Sequence, residues 1–334
     1  MKIQPGQFRG LPARLKRRAL RSGALMQAGW QLLRCRCRSD SPWRRQPAAG
    51  HLRGIDFYTP TQLLWVVANA MRDYRNVHGC YPNLVQPGGF NEKVFWFKFF
   101  GELRVPQAGD KLAIRQMLPA SLQGQVRCLP VVWQSSHPSL PDNDTLPAGV
   151  YYLKVNLGSG LFKRITYPLS PDDRQALEQE AKGWLASEFG LNDGEWWYQT
   201  FTPILFLERS VAGDADSISW NFYTLNGQVP MIGMFIKHAD GRYSSTWLDA
   251  QFRRLPHQSD LTPVDHDGPP VGGQEMLALA REIGASFNAV RVDFLQGDDG
   301  LPYLCELTFA AGNALTRRHR DVEHLLGDPW QVMK

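Results

Sequence analysis

Three adjoining pieces near the C-terminal end leave this chain the fewest options: Val290-Arg291-Val292-Asp293-Phe294-Leu295, Gly297-Asp298-Asp299-Gly300, and Tyr303-Leu304-Cys305-Glu306-Leu307-Thr308-Phe309. Strand-forming residues flank Asp299-Gly300, a dipeptide favoured by two-residue type I′ turns, so the stretch predicts a β-hairpin. With those two residues as the turn, position 298 faces 301, and counting outwards sets Asp293 opposite Glu306. Opposed carboxylates repel unless something positive lies between them. A divalent cation removes that repulsion, and magnesium suits it, taking one or two protein carboxylates and completing its octahedron with water and phosphate oxygens. A solvated hairpin with one acid on the polar face of each strand fits the same pattern.

The 334 residues suffice for one large domain or two to three smaller ones. Hydrophobic content of 43% with 21% charged residues is that of a soluble globular protein. The longest strongly apolar stretch, around Leu63 to Ala70, falls far short of the roughly 20 residues a membrane span needs. Five cysteines without metal-ligand or disulfide spacing make a reducing cytosol the default. The net charge of +5 is not spread evenly. Residues 1–55 hold 13 Lys and Arg against the single acid Asp40, and the rest of the chain nets −7. Bases interleaved with Leu15, Leu20, Leu25, Met26, Trp30, Leu32 and Leu33 suit a helix lying on an anionic membrane surface. A flexible leader, a targeting segment or an overextended start fits the same composition. The acidic remainder shows no nucleic-acid recognition motif, so no nucleic-acid partner is expected.

The segment 56–150 reads as a helical or α+β subdomain, with helices from Thr59-Pro60 to Tyr74, from Asn91 through the aromatic run to Phe100, and from Asp110 to Met117, then a loop from Pro138 to Pro147. The segment 151–330 is richer in strands. Tyr151 to Val155 predicts a strand that runs into Gly158-Ser159-Gly160, where glycines let backbone N–H groups approach an anion. Lys154 adds a charge there, and Lys163 and Arg164 follow at once. An amphipathic helix is expected over 171–189, strands over 204–208, 218–225 and 229–236, and a helix over 273–286. Asn226-Gly227 marks a second hairpin, and Tyr243 to Pro270 reads as loop. Glu208 ends an apolar strand, either as an edge charge or as a carboxylate placed to accept from a nucleotide.

Several ordered pieces together resemble ATP-grasp proteins of the teichuronopeptide-biosynthesis (TupA-like) branch: Asn91-Glu92-Lys93, Asp110-Lys111 with Arg115, Lys154-Val155-Asn156 before Gly158-Ser159-Gly160, Glu195 to Gln199, Phe222 to Gly227, Arg291-Val292-Asp293, and Glu306 to Phe309. The resemblance spans roughly residues 56 to 330. It implies an α+β fold with mostly antiparallel sheets, in which two subdomains clasp ATP. It also implies a carboxylate–amine ligase working through an acyl phosphate in cell-surface polysaccharide biosynthesis. The implied partners are an anionic saccharide or other carboxylate and an amine donor, and the implied setting is the cytoplasm or the inner face of its membrane.

Carried over by position, Lys154 and Arg291 are the catalytic cations. Lys154, Asn156, Gly158, Ser159, Gly160, Lys163 and Glu208 bind the nucleotide, and Asp293, Glu306 and Asn313 hold Mg2+. The chain departs from the pattern at Leu157, where relatives carry His, and at Asn221, where they carry a second lysine. At Thr308 they carry Asn, which leaves Asn313 as the substitute, and Lys163 or Lys237 as the replacement cation. A metal-dependent glycosyltransferase using Asp214-Ala215-Asp216 or Asp265-His266-Asp267 is the alternative enzyme. A degenerate nucleotide-binding scaffold is the alternative without catalysis.

Overall fold

The computed structural model describes residues 23–212, 217–238, 241–264, 266 and 268–332. Along these run helices α1 (Ala24–Cys37), α2 (Pro60–His78), α3 (Phe90–Phe100), α4 (Pro171–Leu185), α5 (Gly273–Gly284) and α6 (Arg320–Gly327). The strands are β1 (Val131–Ser135), β2 (Gly149–Val155), β3 (Phe162–Tyr167), β4 (Leu205–Arg209) and β5 (Ser217–Leu225). They continue with β6 (Gln228–Lys237), β7 (Tyr243–Leu248), β8 (Ala289–Gln296) and β9 (Pro302–Thr308). The chain is α+β with antiparallel sheets, and it divides into two compact units, 1–108 with 189–200 and 309–334, and 109–188 with 201–308. No helix among the described residues is long and apolar enough to cross a membrane.

The first unit is built on helices. Thr59 caps α2 through a reciprocal capping box with Gln62, ahead of Pro60, the arrangement that satisfies the first free N–H groups of a helix. One face of α1, with Ala24, Ala28, Gln31 and Cys35 buried, packs against α2, so the described part of the basic segment is folded. Helix α3 is apolar almost all round and is accordingly buried, including Phe95, Phe99 and Lys98. The Lys98 ammonium donates to the Asp193 carbonyl at 2.8 Å and to Asn313 Oδ1 at 2.6 Å. Burial pushes Lys98 down to about 8 against the pull of Glu195, Asp193 and Asp73. Lys98 thus ties together three separate stretches of sequence.

The second unit holds all nine strands named above. One sheet has the order β1-β4-β2-β3, the other β9-β8-β5-β6-β7, and α5 packs on the second. Three of these strands lie where the sequence reads otherwise or names no element, β1 among them. Strand β3 directly follows the glycine loop, where only cations were legible, and β7 lies in the stretch 243–270 that reads as loop. Strand β3 is a sheet edge, where exposed Lys163 and Arg164 are tolerated. Strand β7 buries Ser244, Ser245 and Thr246, whose hydroxyls find partners in His238, Ser259 and Val264.

The central hairpin forms with a different turn. Gly297 N–H donates to Leu301 O at 2.9 Å, leaving a three-residue loop that ends in Gly300 at φ +74°. The loop shifts the register by one, pairing Phe294 with Leu304. A bulge at Cys305 then restores the original count, so Asp293 faces Glu306 after all. Because a side chain on Gly300 would sit in the left-handed region and 3.2 Å from Val271 Cγ1, Gly300→Ala is expected to lower the unfolding free energy by about 1–2 kcal/mol in urea denaturation.

Candidate functional site

Asp293 is the natural place to begin building the site. Strands β9, β8, β5 and β6 place Glu306, Asp293, Asn221 and Gly233 side by side across the second sheet. Side chains two residues apart on a strand share a face, so Arg291 joins Asp293, Tyr223 joins Asn221, and Thr308 joins Glu306. Asp293 is 6% exposed. Arg291 clasps it with two charge-assisted hydrogen bonds, Nε to Oδ1 at 2.8 Å and Nη2 to Oδ2 at 2.7 Å, and also donates to Thr308 Oγ1 at 3.3 Å. Burial pushes the Asp293 carboxyl above the ordinary carboxylate range, with Arg291 pulling against it.

Beside this pair, one buried oxygen lacks a partner among the described residues. Asn221 Oδ1 is buried without a hydrogen bond, and Glu306 makes no ion pair among the described residues. Opposed carboxylates with an orphaned amide oxygen form a hard-oxygen donor set, which fits a magnesium ion. Asn313 belongs to the other unit, where its Oδ1 accepts from Lys98.

Glu306 also lines a cavity of about 300 Å³ within the second unit. Lys154, Glu208 and Cys305 share its wall, together with Lys111, Lys237 and the loop Gly158-Ser159-Gly160. Ser219, Phe235, Leu295 and Leu129 add a less polar side. In the first sheet Tyr152 faces Glu208, and Lys154, two residues on, reaches diagonally to Glu208 Oε2. Burial alone would lower Lys154, yet the Glu208 and Glu306 carboxylates around it hold it above the ordinary ammonium value. Burial also pushes the Cys305 thiol up to about 12, which keeps it neutral. Gly158 and Gly160 adopt φ of +74° and +77°, a conformation that favours glycine and frees the loop to present its backbone.

The remaining candidates separate. Asn156 is 1% exposed, and its amide accepts from Ile204 N–H at 2.8 Å and donates to Asp110 Oδ1 at 3.0 Å, so it frames the end of β2. Lys163 points to Glu180 of α4 at 2.9 Å and is not among the residues lining the cavity. Lys237 does line it, with its ammonium 4.5 Å from the centre of the Phe162 ring, and burial and Arg164 both lower its pKa. Lys111 is a further cation that residue patterns alone did not single out. Asp110 caps the turn that carries it, and its ammonium donates to the Gly158 carbonyl. The signal for it lay in Asp110-Lys111, a pair that registered only as part of the family resemblance. Asp214 to Asp216, Asp265 and Asp267 lie outside the described residues.

An α+β chain whose second unit carries two antiparallel sheets and a cation-lined cavity beside an acidic pair is the class that the fold and site define. Residues 179–331 match the TupA-like ATPgrasp family, the branch that the sequence resembles. No curated protein sequence matches the chain. Solved structures similar to it include an L-amino acid ligase from Bacillus licheniformis, with 11% identity, a TM-score of 0.36, and coverage of 67% of this chain and 45% of that one. The ATP-grasp ligase PsnB with a minimal precursor is 12% identical with a TM-score of 0.34, covering 60% and 52%. The macrocyclase MdnC from Microcystis aeruginosa MRC, bound to its precursor peptide, is 15% identical with a TM-score of 0.31, covering 64% and 55%. The chain therefore spans about half the length of these solved relatives.

Lys154 and Glu208 side chains are 14% and 10% exposed, so removing one partner strands a buried charge. Lys154→Met is expected to destabilise the fold by about 3–5 kcal/mol in urea denaturation, and the double variant Lys154→Met/Glu208→Gln to recover more than half of that loss.

Proposed function

We propose that this chain is an ATP-dependent carboxylate–amine ligase that works through an acyl phosphate. The observation that carries this reading is the meeting of three lysines and a glycine loop in one cavity whose wall includes Glu306, the partner of Asp293. Cations and backbone N–H groups aimed at one space suit a polyphosphate, and the less polar wall suits a base. Asp293, Glu306 and the Asn221 amide oxygen would hold magnesium. When bound, that ion neutralises phosphate charge next to the transferring group.

In this reading Lys111 and Lys154 hold the phosphates, with Lys237 as the cation that stands in for the lysine replaced by Asn221. Glu208 keeps Lys154 charged and aimed. The bond between the γ-phosphorus and the ADP oxygen breaks as a carboxylate oxygen of the substrate takes the phosphoryl group. An amine then attacks the acyl carbon, its proton passes to solvent, and inorganic phosphate leaves as the C–N bond forms. Arg291, locked to Asp293, fixes the carboxylate rather than moving a proton. The TupA-like match and the sequence resemblance support a role in building or modifying a cell-surface polysaccharide, with a uronic acid or similar anionic saccharide as the carboxylate and a separate amine donor. They also fit a cytoplasmic protein stationed where such polymers are assembled.

Thermal-unfolding titration is the test. Mg-ATP at 100 times its dissociation constant should stabilise the fold by about 2.7 kcal/mol. Asp293→Asn should remove that shift, and ADP release should follow on screening acids with amines. A shift with a UDP-sugar and none with ATP would replace the ligase by a glycosyltransferase, and nucleotide binding without ADP release would leave a scaffold. Lys237→Ala is expected to weaken Mg-ATP binding about tenfold, or 1.4 kcal/mol, while Lys163→Ala leaves the titration unchanged.

A further inference from the structure

The same helix that packs on α2 leaves a second face uncovered. Met26, Trp30 and Leu33 follow one another at i, i+4 and i+7 on α1, and they are 79%, 52% and 62% exposed. Residues at that spacing form one stripe along a helix, so these three make a continuous apolar ridge. The buried face of α1 is held independently. Gln31 exchanges hydrogen bonds with Pro82 O and Leu84 N–H, and Cys35 donates to Leu84 O. The ridge is therefore not a core face awaiting its partner within the helix pair.

Its flanks are basic. Arg34 and Arg36 are exposed on α1, and Arg44 and Arg45 are exposed just beyond it. The Arg34 guanidinium lies 4.6 Å from the centre of the Trp30 ring, which puts charge and aromatic surface at the same level. Asp40, the sole acid of the segment, is taken up by Arg38 through two hydrogen bonds of 2.7 and 2.8 Å. By sequence alone, residues 1–22 add seven bases and no acid.

We propose that this ridge and its arginines dock the protein on an anionic lipid bilayer. An anionic membrane surface offers both halves of the complement, hydrocarbon for Met26, Trp30 and Leu33 and phosphate headgroups for the arginines. A nucleic acid offers only the second and would leave the ridge in water. The helix would lie in the interfacial plane with Trp30 at headgroup depth, as amphipathic aromatic rings do. This goes beyond the ligase reading and does not depend on it, since it uses no residue of the nucleotide cavity.

The experiment is co-sedimentation of the full chain with vesicles of phosphatidylcholine and with vesicles of phosphatidylcholine mixed with phosphatidylglycerol. Binding to the anionic vesicles is expected, weakened about tenfold by the double substitution Trp30→Ser/Leu33→Ser and again by raised salt. An unchanged unfolding midpoint would verify that the variant is folded. Three results would overturn the proposal: no binding to anionic vesicles, equal binding by the double variant, or retention by a DNA duplex in preference to the vesicles. The second would transfer the attraction to charge alone, the third to nucleic acid.

Discussion

The register of β8 against its two neighbours is the constraint on which the candidate site depends. In a sheet, a slip of one residue turns every side chain to the other face. Here such a slip would exchange Arg291, Asp293 and Leu295 for Val292 and Phe294, which are wholly buried against α5's side of the sheet. An ionised carboxylate among those apolar groups would carry a large desolvation cost. The apolar set on one face and the Arg291–Asp293 clasp on the other therefore enforce the same alignment. The bulge at Cys305 is the device that reconciles this alignment with a three-residue loop.

Much of this order is legible in the residues, and where it is not the reasons are physical. Thr59-Pro60, Asn226-Gly227 and the aromatic run of α3 state their structure locally, through capping, turn chemistry and uniform burial. The opposition of Asp293 and Glu306 follows from counting, although two features hidden from the count, the longer loop and the bulge, offset each other. Strand β7 is illegible because Ser244, Ser245 and Thr246 look like loop, and only tertiary hydrogen bonds make them suitable for burial. The choice between Lys163 and Lys237 is equally nonlocal. Both are lysines near a strand end, and the difference lies in Glu180 on α4, which engages Lys163, and in the cavity wall, which includes Lys237.

The cavity concentrates charge in a way that differs from an ordinary surface. Lys154 is sequestered by Glu208, Lys111 is engaged with a backbone carbonyl, and Lys237 is positioned over an aromatic ring. None of the three is left to bulk water, so each is pre-oriented and partly desolvated before any ligand arrives. That arrangement lowers the reorganisation an anion must induce on entering, which is how preorganised electrostatics differ from mere net charge.

Lys98 draws together residues 90–100, 189–200 and 309–334, stretches separated by most of the second unit's sequence. A unit stitched in this way cannot be completed until Asn313 has left the ribosome, after every strand of the second unit has been synthesised. The second unit, whose segments 109–188 and 201–308 end before Phe309, is available earlier, so vectorial synthesis favours an order in which the sheets assemble first and the helical unit closes last. Loops bridging so many residues also slow the closing step, since ends far apart in sequence must meet before their contacts can stabilise anything. The helical unit is therefore the one whose closure waits longest for the residues it needs.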